Sequence, residues 1–395
     1  MANVSSSNGI EKYPKLRFPQ YSDSWDGIRF GDLIEEFSHR TKVEDEDILL
    51  SAAIEGMFLN TELFGHQRGA SNKGYKKINY GTLVLSTQNL HLGNANVNLR
   101  FEHGMVSPAY KTYSIKNCSV KLLAEWIKSE KAKQFFYDAT TVGASVCRRN
   151  VEWDTLYDQP LYLPDDNEQH HIAEFLSLIS ERIHKQEHFI ECLKKYKRGL
   201  LQAVFSREIQ LENSSNWEHR LFGEIASLGK GKYTPKQKEI LPCIELEHLE
   251  QQTGQIIGYA NSNEQNSVKS VFHKGDVLFG KLRPYLRKFA LPEYDGVCSS
   301  EIWVLHPEAN IDSAFLFYLI QSERFIAAAN ISSGTKMPRA EWSKVSSESF
   351  FIPELTEQKR IAELFGEIDK RIVNASRSVN EMQSLKQGLL QQLFI

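Results

Sequence analysis

Two segments of the chain place apolar residues at alternating steps of four and three, which is the pattern of a long amphipathic helix. In the first segment these positions are Ile172, Leu176, Ile179, Ile183, Ile190, Leu193, Leu200 and Val204. In the second they are Ile361, Phe365, Ile368, Ile372, Val379, Met382, Leu389 and Leu393, and Lys197 and Lys386 occupy one matching seam position. A heptad seam predicts a coiled coil, and about 40 residues at 1.5 Å each predict a rod roughly 60 Å long. The simplest way to bury both seams is to pack the two helices against each other.

The two helical segments are copies of one sequence, because residues 164–205 align without a gap on residues 353–394. Both copies begin with P-x3-EQ and contain GLLQ, and Asn167 and Thr356 are predicted to cap the helix N-termini. A weaker repeat, W-x4-F-G-[DE]-[LI], starts at Trp25 and again at Trp217. The chain is therefore predicted to contain two copies of a unit made of a globular domain followed by a long helix.

The repeat divides the chain into predicted parts: an N-terminal tail (1–20), a first globular domain (21–163), a central helix (164–206), a second globular domain (207–352) and a C-terminal helix (353–395). Strand-like runs at 81–87, 268–291 and 296–307 accompany predicted helices at 120–137 and 312–329. The predicted fold class is α+β, with two mixed α/β domains separated by two long antiparallel helices that form a coiled coil.

Composition narrows the class of protein. The 395 residues are 41% hydrophobic and 25% charged with a net charge of -3, which is typical of globular domains. No window approaches the ~20 apolar residues of a membrane span, and the N-terminus lacks the apolar core of a secretory signal. We therefore expect a cytoplasmic protein with no membrane partner. The five cysteines are scattered without a CxxC pair, which argues against a disulfide framework or a zinc ribbon.

The sequence carries no recognisable motif for catalysis. It lacks a [DNS]PP[YFW] methyltransferase motif, a glycine-rich cofactor loop after a strand, and a nuclease PD…(D/E)xK arrangement. His184 and His188 share a helix face, but no third metal ligand accompanies them. We therefore predict no catalytic residue, no metal site and no cofactor bound to this chain.

A basic stretch in the second domain is the leading candidate for nucleic-acid binding. Within the hairpin predicted over 268–291 lie Lys281, Arg283, Tyr285, Arg287 and Lys288. Strand alternation places the first two cations and Arg287 on one face and Lys288 on the other, unless a turn at Pro284 resets the register. Lysine and arginine neutralise phosphates, and arginine can also bind a guanine edge. An ordinary solvated strand pair is the alternative.

Three further segments offer cations near small residues or in polar stretches. They are 332–342 with Lys336 and Arg339, 140–150 with Arg148 and Arg149, and 73–81 with Lys73, Lys76 and Lys77. We predict that these side chains contribute to DNA binding, with ordinary solvated surface as the alternative.

Polar identities between the two helices lie away from the apolar seam. They are Gln169 and Gln358, Glu174 and Glu363, Arg182 and Arg371, and Gln202 and Gln391. Packing between two helices does not require these identities, so we predict a second, partner-facing surface. The alternative is a purely structural spacer.

The chain resembles the specificity (S) subunit of type I restriction-modification systems. The resemblance rests on the duplicated P-x3-EQ-x2-IAE helix, the W-x4-FG openings, GDVLFGKLRPYLRK at 275–288 and SGTKMPRAEW at 333–342. It implies two target-recognition domains, each reading one half of a bipartite, asymmetric sequence in double-stranded DNA. In the first domain STQNLHLGN (86–94) stands where a counterpart of LRPYLRK is expected, so DNA contacts cannot be carried across.

The same resemblance implies partners. The helices would carry two methyltransferase (M) subunits that use S-adenosylmethionine, and a restriction (R) subunit would add ATP-driven translocation and cleavage. S-adenosylmethionine, ATP and Mg²⁺ would then be bound by the partner subunits only. Two alternatives stay open: a detached recognition module of a single-chain restriction-methylation enzyme, and a coiled-coil scaffold without a DNA role.

Overall fold

The computed structural model describes residues 2–3, 13–65, 71–145, 148–211, 214, 216–235, 240–331 and 337–395. The chain forms two compact units, and each is described by itself below. Unit 1 contains Met1–Glu187 and Arg377–Ile395, whereas unit 2 contains His188–Ser376. Both long helices are divided between the units, so these units differ from the predicted division into domains and separate helices.

The globular part of unit 1 is mostly antiparallel β-structure. Its strands are β1 (Ala2–Asn3), β2 (Leu16–Arg17), β3 (Asp26–Arg29), β4 (Ile34–Phe37), β5 (Leu50–Ala53), β6 (Gly56–Leu59), β7 (Lys76–Asn79), β8 (Leu83–Ser86), β9 (Ala95–Val97), β10 (His103–Val106), β11 (Tyr110–Ile115), β12 (Thr140–Ser145), β13 (Arg148–Val151) and β14 (Pro160–Leu163). Its helices are α1 (Asn60–Phe64), α2 (Val120–Trp126), α3 (Glu130–Asp138) and α4 (Trp153–Asp158), and helix α5 (Asp166–Phe205) follows. The central sheet has the order β4-β11-β8-β9.

The globular part of unit 2 also combines strands with short helices. Its strands are β15 (Glu218–Leu221), β16 (Ala226–Leu228), β17 (Lys232–Tyr233), β18 (Pro242–Ile244), β19 (Ala260–Asn261), β20 (Lys269–Phe272), β21 (Val277–Gly280), β22 (Phe289–Ala290), β23 (Gly296–Cys298), β24 (Ile302–Pro307) and β25 (Ser349–Ile352). Its helices are α6 (Phe222–Ile225), α7 (Ser313–Leu319), α8 (Glu323–Ala329) and α9 (Trp342–Ser346), and the second long helix is α10 (Leu355–Leu393). The α+β class with two long helices is confirmed.

The two globular parts share a topology that their sequences hardly show. In unit 2 a four-stranded antiparallel sheet has the order β16-β24-β21-β22, and these strands follow the chain as β4, β11, β8 and β9 do in unit 1. The pairs β3–β14 and β15–β25 likewise join the strand that follows Trp25 or Trp217 to the last strand of the same globular part. Unit 2 adds a five-stranded sheet in which β18 and β23 run parallel. The duplication therefore includes the globular domains as well as the helices.

Each helix predicted over 120–137 and 312–329 is broken into two. The Ser129 hydroxyl accepts a hydrogen bond from the Ala132 amide, and Ser322 does the same for Phe325 at the start of α8. A serine at this position caps a new helix, so each predicted single helix becomes a pair.

The long helices begin about two residues earlier than the predicted caps imply. The Asp165 carboxylate accepts the amides of Asn167 and Glu168 at 2.8 and 3.1 Å, so Asp165 caps α5 in place of Asn167. In α10 the Glu354 carbonyl accepts the amides of Glu357 and Gln358, and Thr356 lies inside the helix.

The helical seams pack antiparallel within each unit. In unit 1 the Lys386 ammonium donates to Ser180 Oγ at 2.6 Å, while Gln383 lies further along α5 at Glu187. In unit 2 Lys197 pairs with Asp369 at 2.7 Å, and the Phe205 ring lies 6.4 Å from that of Phe365. In each unit the residue numbers rise on one helix as they fall on the other, as antiparallel packing requires.

The Glu of P-x3-EQ ties each domain to the start of its helix. Glu168 is fully buried and accepts two hydrogen bonds from the Arg17 guanidinium at 2.7 and 2.8 Å. The Trp25 indole donates to the same carboxylate at 3.3 Å. In unit 2 the Trp217 indole donates to Glu357 at 3.1 Å. The tryptophan at the start of each W-x4-FG motif is therefore explained by its indole N–H, which donates a hydrogen bond to the first turn of the long helix.

The segment predicted as a tail is part of the unit 1 core at residues 16–18. Leu16 and Phe18 pack against the core, and the Phe18 ring stacks on His171 with 4.8 Å between centroids. The carboxylate of Glu168 raises the pKa of Arg17 through its hydrogen bonds. Burial of this ion pair makes these residues structural.

Glu168→Ala is expected to destabilise the native state by about 3–5 kcal/mol, because the Arg17 charge stays buried without a partner. Urea unfolding of the full chain measures the change in free energy. Glu174→Ala, on the exposed face of the same helix, is the matched control and is expected to change stability by less than about 0.5 kcal/mol. Equal effects of the two substitutions would contradict the structural role of Glu168.

Candidate nucleic-acid interface

The basic stretch of the second domain forms a hairpin loop between β21 and β22. These strands pair through Leu278 with Ala290 and Phe279 with Phe289, and a 3-10 turn over Pro284–Leu286 occupies the loop. The preceding strand β20 belongs to a different sheet, so the predicted hairpin over 268–291 is shorter than expected. The turn at Pro284 resets the register, and simple strand alternation does not apply to residues 281–288.

Two arginines in this loop adopt left-handed backbone conformations. Arg283 and Arg287 both have φ of 52°, which costs roughly 1–2 kcal/mol for a residue with a side chain. Hydrogen bonds hold this geometry: the Arg283 amide donates to the Pro338 carbonyl at 2.8 Å, and the Gln252 amide donates to the Arg287 carbonyl at 2.9 Å. Strain that surrounding contacts enforce is typical of functional loops.

Arg287 and Lys288 hold the loop to the rest of unit 2. The Arg287 guanidinium pairs with the carboxylate of Glu323 on α8, and its side chain is 21% exposed. The Lys288 ammonium donates to the Leu246 carbonyl. Both cations already have partners in the protein, which gives them a structural role, and their predicted DNA contact stays a prediction.

Arg283, Tyr285 and Arg339 are exposed on the same part of unit 2, with Lys281 partly exposed beside them. Arg283 has no acidic partner among the residues that the structure describes, and Tyr285 is 51% exposed. The Ala340 amide donates to the Lys281 carbonyl at 2.9 Å, which joins two segments that the sequence predicted separately. We call Lys281, Arg283, Tyr285 and Arg339 the cationic loop surface.

Arg339 belongs to this surface with its charge partly neutralised. Its Nε lies 3.0 Å from Glu301 Oε2, and about half of its side chain is exposed. Lys336, predicted beside it, lies outside the described residues.

The first domain offers much less positive charge at the equivalent loop. The strands β8 and β9 enclose residues 87–94, which contain no lysine or arginine. A 3-10 turn over Leu90–Leu92 matches the one over Pro284–Leu286. Sheet order therefore identifies the counterpart of the LRPYLRK loop, and this counterpart lacks the cations on which the predicted contacts of the second domain depend.

Several predicted cations of the first domain are used inside it. Lys76 is buried and donates to the Tyr110 carbonyl at 2.7 Å, and this burial lowers its pKa. Lys77 pairs with Glu46. The Arg149 guanidinium donates to both oxygens of Thr140 and lies 4.1 Å from the Tyr137 ring. The prediction of a DNA contact is wrong for buried Lys76, while the part-exposed Lys77 and Arg149 have internal partners.

Lys73 is exposed and stays a candidate for DNA contact. The backbone of Arg148 lies in β13, whereas its side chain is outside the described part of the chain. Two large side chains that the sequence did not single out, Tyr259 and Ile257, are each 63% exposed in a loop of unit 2.

The predicted partner-facing residues fall into two groups. Gln169 donates to the Pro164 carbonyl at 3.0 Å and accepts the Ser119 amide at 2.8 Å, and Gln358 makes the same contacts with Pro353 and Asp312. Both amides are buried and fix the domain helices α2 and α7, so assigning them to a partner surface is wrong. Exposed positions on the long helices are Glu174, Arg182, Gln202, Glu363 and Arg371, while Gln391 is half-buried.

The described residues contain no group of three potential metal ligands among His, Cys, Asp and Glu. Burial raises the pKa of Cys118 to about 12 and that of Cys243 to about 11. These thiols stay protonated near neutral pH, whereas a cysteine nucleophile acts as the thiolate. Within the described residues, none of the helices has the length and hydrophobicity needed to cross a bilayer.

The fold and the cationic loop surface define a tandem recognition protein, in which one scaffold occurs twice with different loops. A family model described as Type I restriction modification DNA specificity domain matches residues 214–381. The specificity subunit of the type I restriction enzyme EcoDI from Escherichia coli is 24% identical over 345 residues, covering 76% of each chain. The MjaVIII specificity subunit of Methanocaldococcus jannaschii is 23% identical and covers 96% of this chain and 94% of its own. Residues 214–381 therefore match the type I specificity domain, and the chain is similar to specificity (S) subunits of type I restriction enzymes over most of its length.

Solved structures support the fold. A chain from a structure described as complex assembly and conformational transition of the type I R-M system superposes with a TM-score of 0.56 at 15% identity, covering 94% of this chain and 97% of that one. The type I S subunit from M. genitalium has a TM-score of 0.55 at 15% identity, covering 97% of this chain and 99% of its own.

Arg283→Ala is expected to weaken binding to specific and scrambled duplexes alike. Loss of one phosphate contact lowers the slope of log affinity against log salt by about 0.9. Lys370→Ala is the matched control and is expected to leave that slope unchanged, because this lysine lies on helix α10, away from the loop, and is paired with Glu367. Salt-titrated anisotropy measures both, and an unaltered affinity and slope for Arg283→Ala would remove this residue from the interface.

Proposed function

We propose that this S subunit reads a bipartite, asymmetric sequence in double-stranded DNA, with each globular domain reading one half. The observation that carries the proposal is a single sheet order built twice with unlike loops. A common scaffold presents the reading loops in the same way, and different loop chemistry selects different bases. A symmetric dimer of one domain would instead read a palindrome.

The cationic loop surface supplies the DNA contact of the second domain. Arg283 and Lys281 neutralise phosphates, and the half-exposed Tyr285 ring adds apolar contact. Residues 87–94 occupy the same place in the first domain and contain neutral polar and apolar side chains beside His91, with no lysine or arginine. The first domain therefore contacts its half-site more through hydrogen bonds than through charge.

The exposed polar residues shared by α5 and α10 form two like docking faces. Arg182 and Arg371 occupy matching positions on the helices, as do Glu174 and Glu363, and all four are exposed. Two like faces suit two copies of one partner, which we assign as methyltransferase subunits. A restriction subunit joins the same complex.

The chain itself is noncatalytic. S-adenosylmethionine, ATP and Mg²⁺ belong to the partner subunits, and the assembled complex works on DNA in the cytoplasm. A detached module of a single-chain enzyme would need a fused catalytic domain. A coiled-coil scaffold without a DNA role would not explain why Arg283 is exposed and has no acidic partner among the described residues.

Exchange of residues 217–352 for those of another S subunit is expected to change one half of the methylated sequence only. The physical reason is that each domain carries its own reading loops on its own sheet. Methylome sequencing of a host that supplies the methyltransferase subunit measures the outcome. A change in both halves, or in neither, would disprove modular reading.

Arg182→Glu combined with Arg371→Glu is expected to weaken assembly with methyltransferase subunits at least tenfold, about 1.4 kcal/mol. Both side chains are exposed, so the free energy of unfolding should change little. Native mass spectrometry counts the bound subunits. Lys185→Glu with Lys370→Glu is the control, because neither lysine is shared between the helices; an undiminished complex for the arginine variant would exclude this face.

A further inference from the structure

A cavity of about 510 Å³ lies wholly within unit 2. The second half of α5 forms one wall, the first half of α10 forms another, and helix α7 with the loop at 251–255 completes it. Phe289, Phe317 and Leu201 are among its apolar lining residues, and charged and amide side chains line the remainder. A volume of this size that combines apolar surface with polar groups is typical of small-molecule sites.

The loop wall of the cavity is held in place by the backbone. Gly254 has φ of 80°, and a Cβ atom there would meet the Phe317 ring at 2.4 Å. A glycine is therefore required for the loop to lie on the ring. The Gln252 amide bonds the Arg287 carbonyl, which attaches the loop to the hairpin turn. The cavity is preformed, which lowers the entropy cost of binding.

Positive charge is in excess around the cavity. Of the described residues that line it, five are cationic, Lys194, Lys195, Lys197, Arg198 and Arg287, and two are acidic, Glu191 and Asp369. Lys197 pairs with Asp369, Lys194 with Glu191, and Arg287 with Glu323. Lys195 and Arg198 have no acidic partner among the described residues. An anionic ligand would complete the charge balance.

The second copy of the long helix has neutral residues at the positions of three of these cations, so the helix forms without them. The residues of α10 that align with Lys194, Lys195 and Arg198 are the neutral Gln383, Ser384 and Gln387. Two like partners on two like helix faces do not explain a charge cluster found in one copy. A concave cavity of this volume also excludes a DNA duplex, whose phosphates are presented on a convex surface.

The binding groups suit a ligand with a phosphate and a flat apolar part. Lysine and arginine at the rim neutralise phosphate oxygens. The glutamines of the loop at 251–255 can donate to and accept from the edge of a ring, and Phe289 and Phe317 provide apolar contact below it. We propose that this cavity of unit 2 binds a nucleoside phosphate, at a site separate from the cationic loop surface.

Calorimetric titration of the full chain with ATP in the absence of Mg²⁺ tests the proposal. We expect saturable binding at one site, weaker binding of AMP, and weaker binding of inorganic pyrophosphate, which leaves the apolar lining residues uncovered. The variant Lys194→Gln, Lys195→Ser, Arg198→Gln introduces the neutral residues of the other helix and should weaken ATP binding at least tenfold. No binding of ATP up to millimolar concentration would overturn the proposal.

A matched control separates this site from general surface charge. Lys121→Gln, Lys185→Gln and Lys370→Gln together remove three exposed cations outside the cavity and should leave ATP affinity within twofold. Equal losses for the two triple variants would show that ATP binds nonspecifically to positive surface, which would contradict the proposal.

A second variant blocks the cavity without changing charge. Gly366 lines the cavity within helix α10, and a Cβ atom there has its nearest neighbour, Tyr318 Oη, at 3.8 Å. Gly366→Leu therefore fits the helix and fills the space, and it should abolish ATP binding. Undiminished ATP binding to this folded variant would also overturn the proposal. Duplex binding by the cavity variants reports on the proposed DNA function separately, and we expect it to be unchanged.

Discussion

The buried junction between each domain and the first turn of its long helix is the constraint on which the rest of the structure depends. Glu168 and Glu357 accept the indole N–H groups of Trp25 and Trp217, and the adjacent glutamines bond the starts of α2 and α7. A buried carboxylate is costly unless it is hydrogen-bonded, so the domain must meet the helix in one orientation. Loops carried by that domain then have a defined position relative to the first turns of the helix.

Within this constraint the two copies diverged where the scaffold does not need a particular side chain. The central sheets keep one strand order, and the 3-10 turns over Leu90–Leu92 and Pro284–Leu286 keep one place in it. The loops around these turns differ in charge, since residues 281–288 are rich in cations and residues 87–94 have no lysine or arginine. The helix seam shows the same behaviour, because Lys197 forms an ion pair with Asp369 and Lys386 forms one with Glu125. The lysine is kept in both helix copies, while the acidic residue that pairs with it differs.

The cationic loop illustrates how structure separates residues of one chemical type. Arg283 and Arg287 have the same strained backbone, yet one side chain is exposed and the other is paired with Glu323. The pair at Arg287 and the Lys288 contact with Leu246 stabilise the turn that presents Arg283 and Tyr285 to solvent. Neighbouring cations of one loop therefore differ in exposure and pairing, and a composition of four cations in eight residues overstates the number without a partner in the protein.

The sequence by itself determined the two long helices, their duplication, the α+β class and the positions of the charges. A heptad seam and a repeated motif are local patterns, and residues three and four apart share a helix face whatever lies around them. Only the tertiary structure decided which polar side chains face outward. Gln169 and Glu174 are both identical between the two helix copies. Gln169 is nevertheless buried, because its side chain accepts a hydrogen bond from the amide of Ser119, 50 positions away. The buried Lys76 ammonium donates a hydrogen bond to the Tyr110 carbonyl, 34 positions away. Arg287 is paired with Glu323, 36 positions away. Such partners are set by chain packing, which no local pattern of residues encodes.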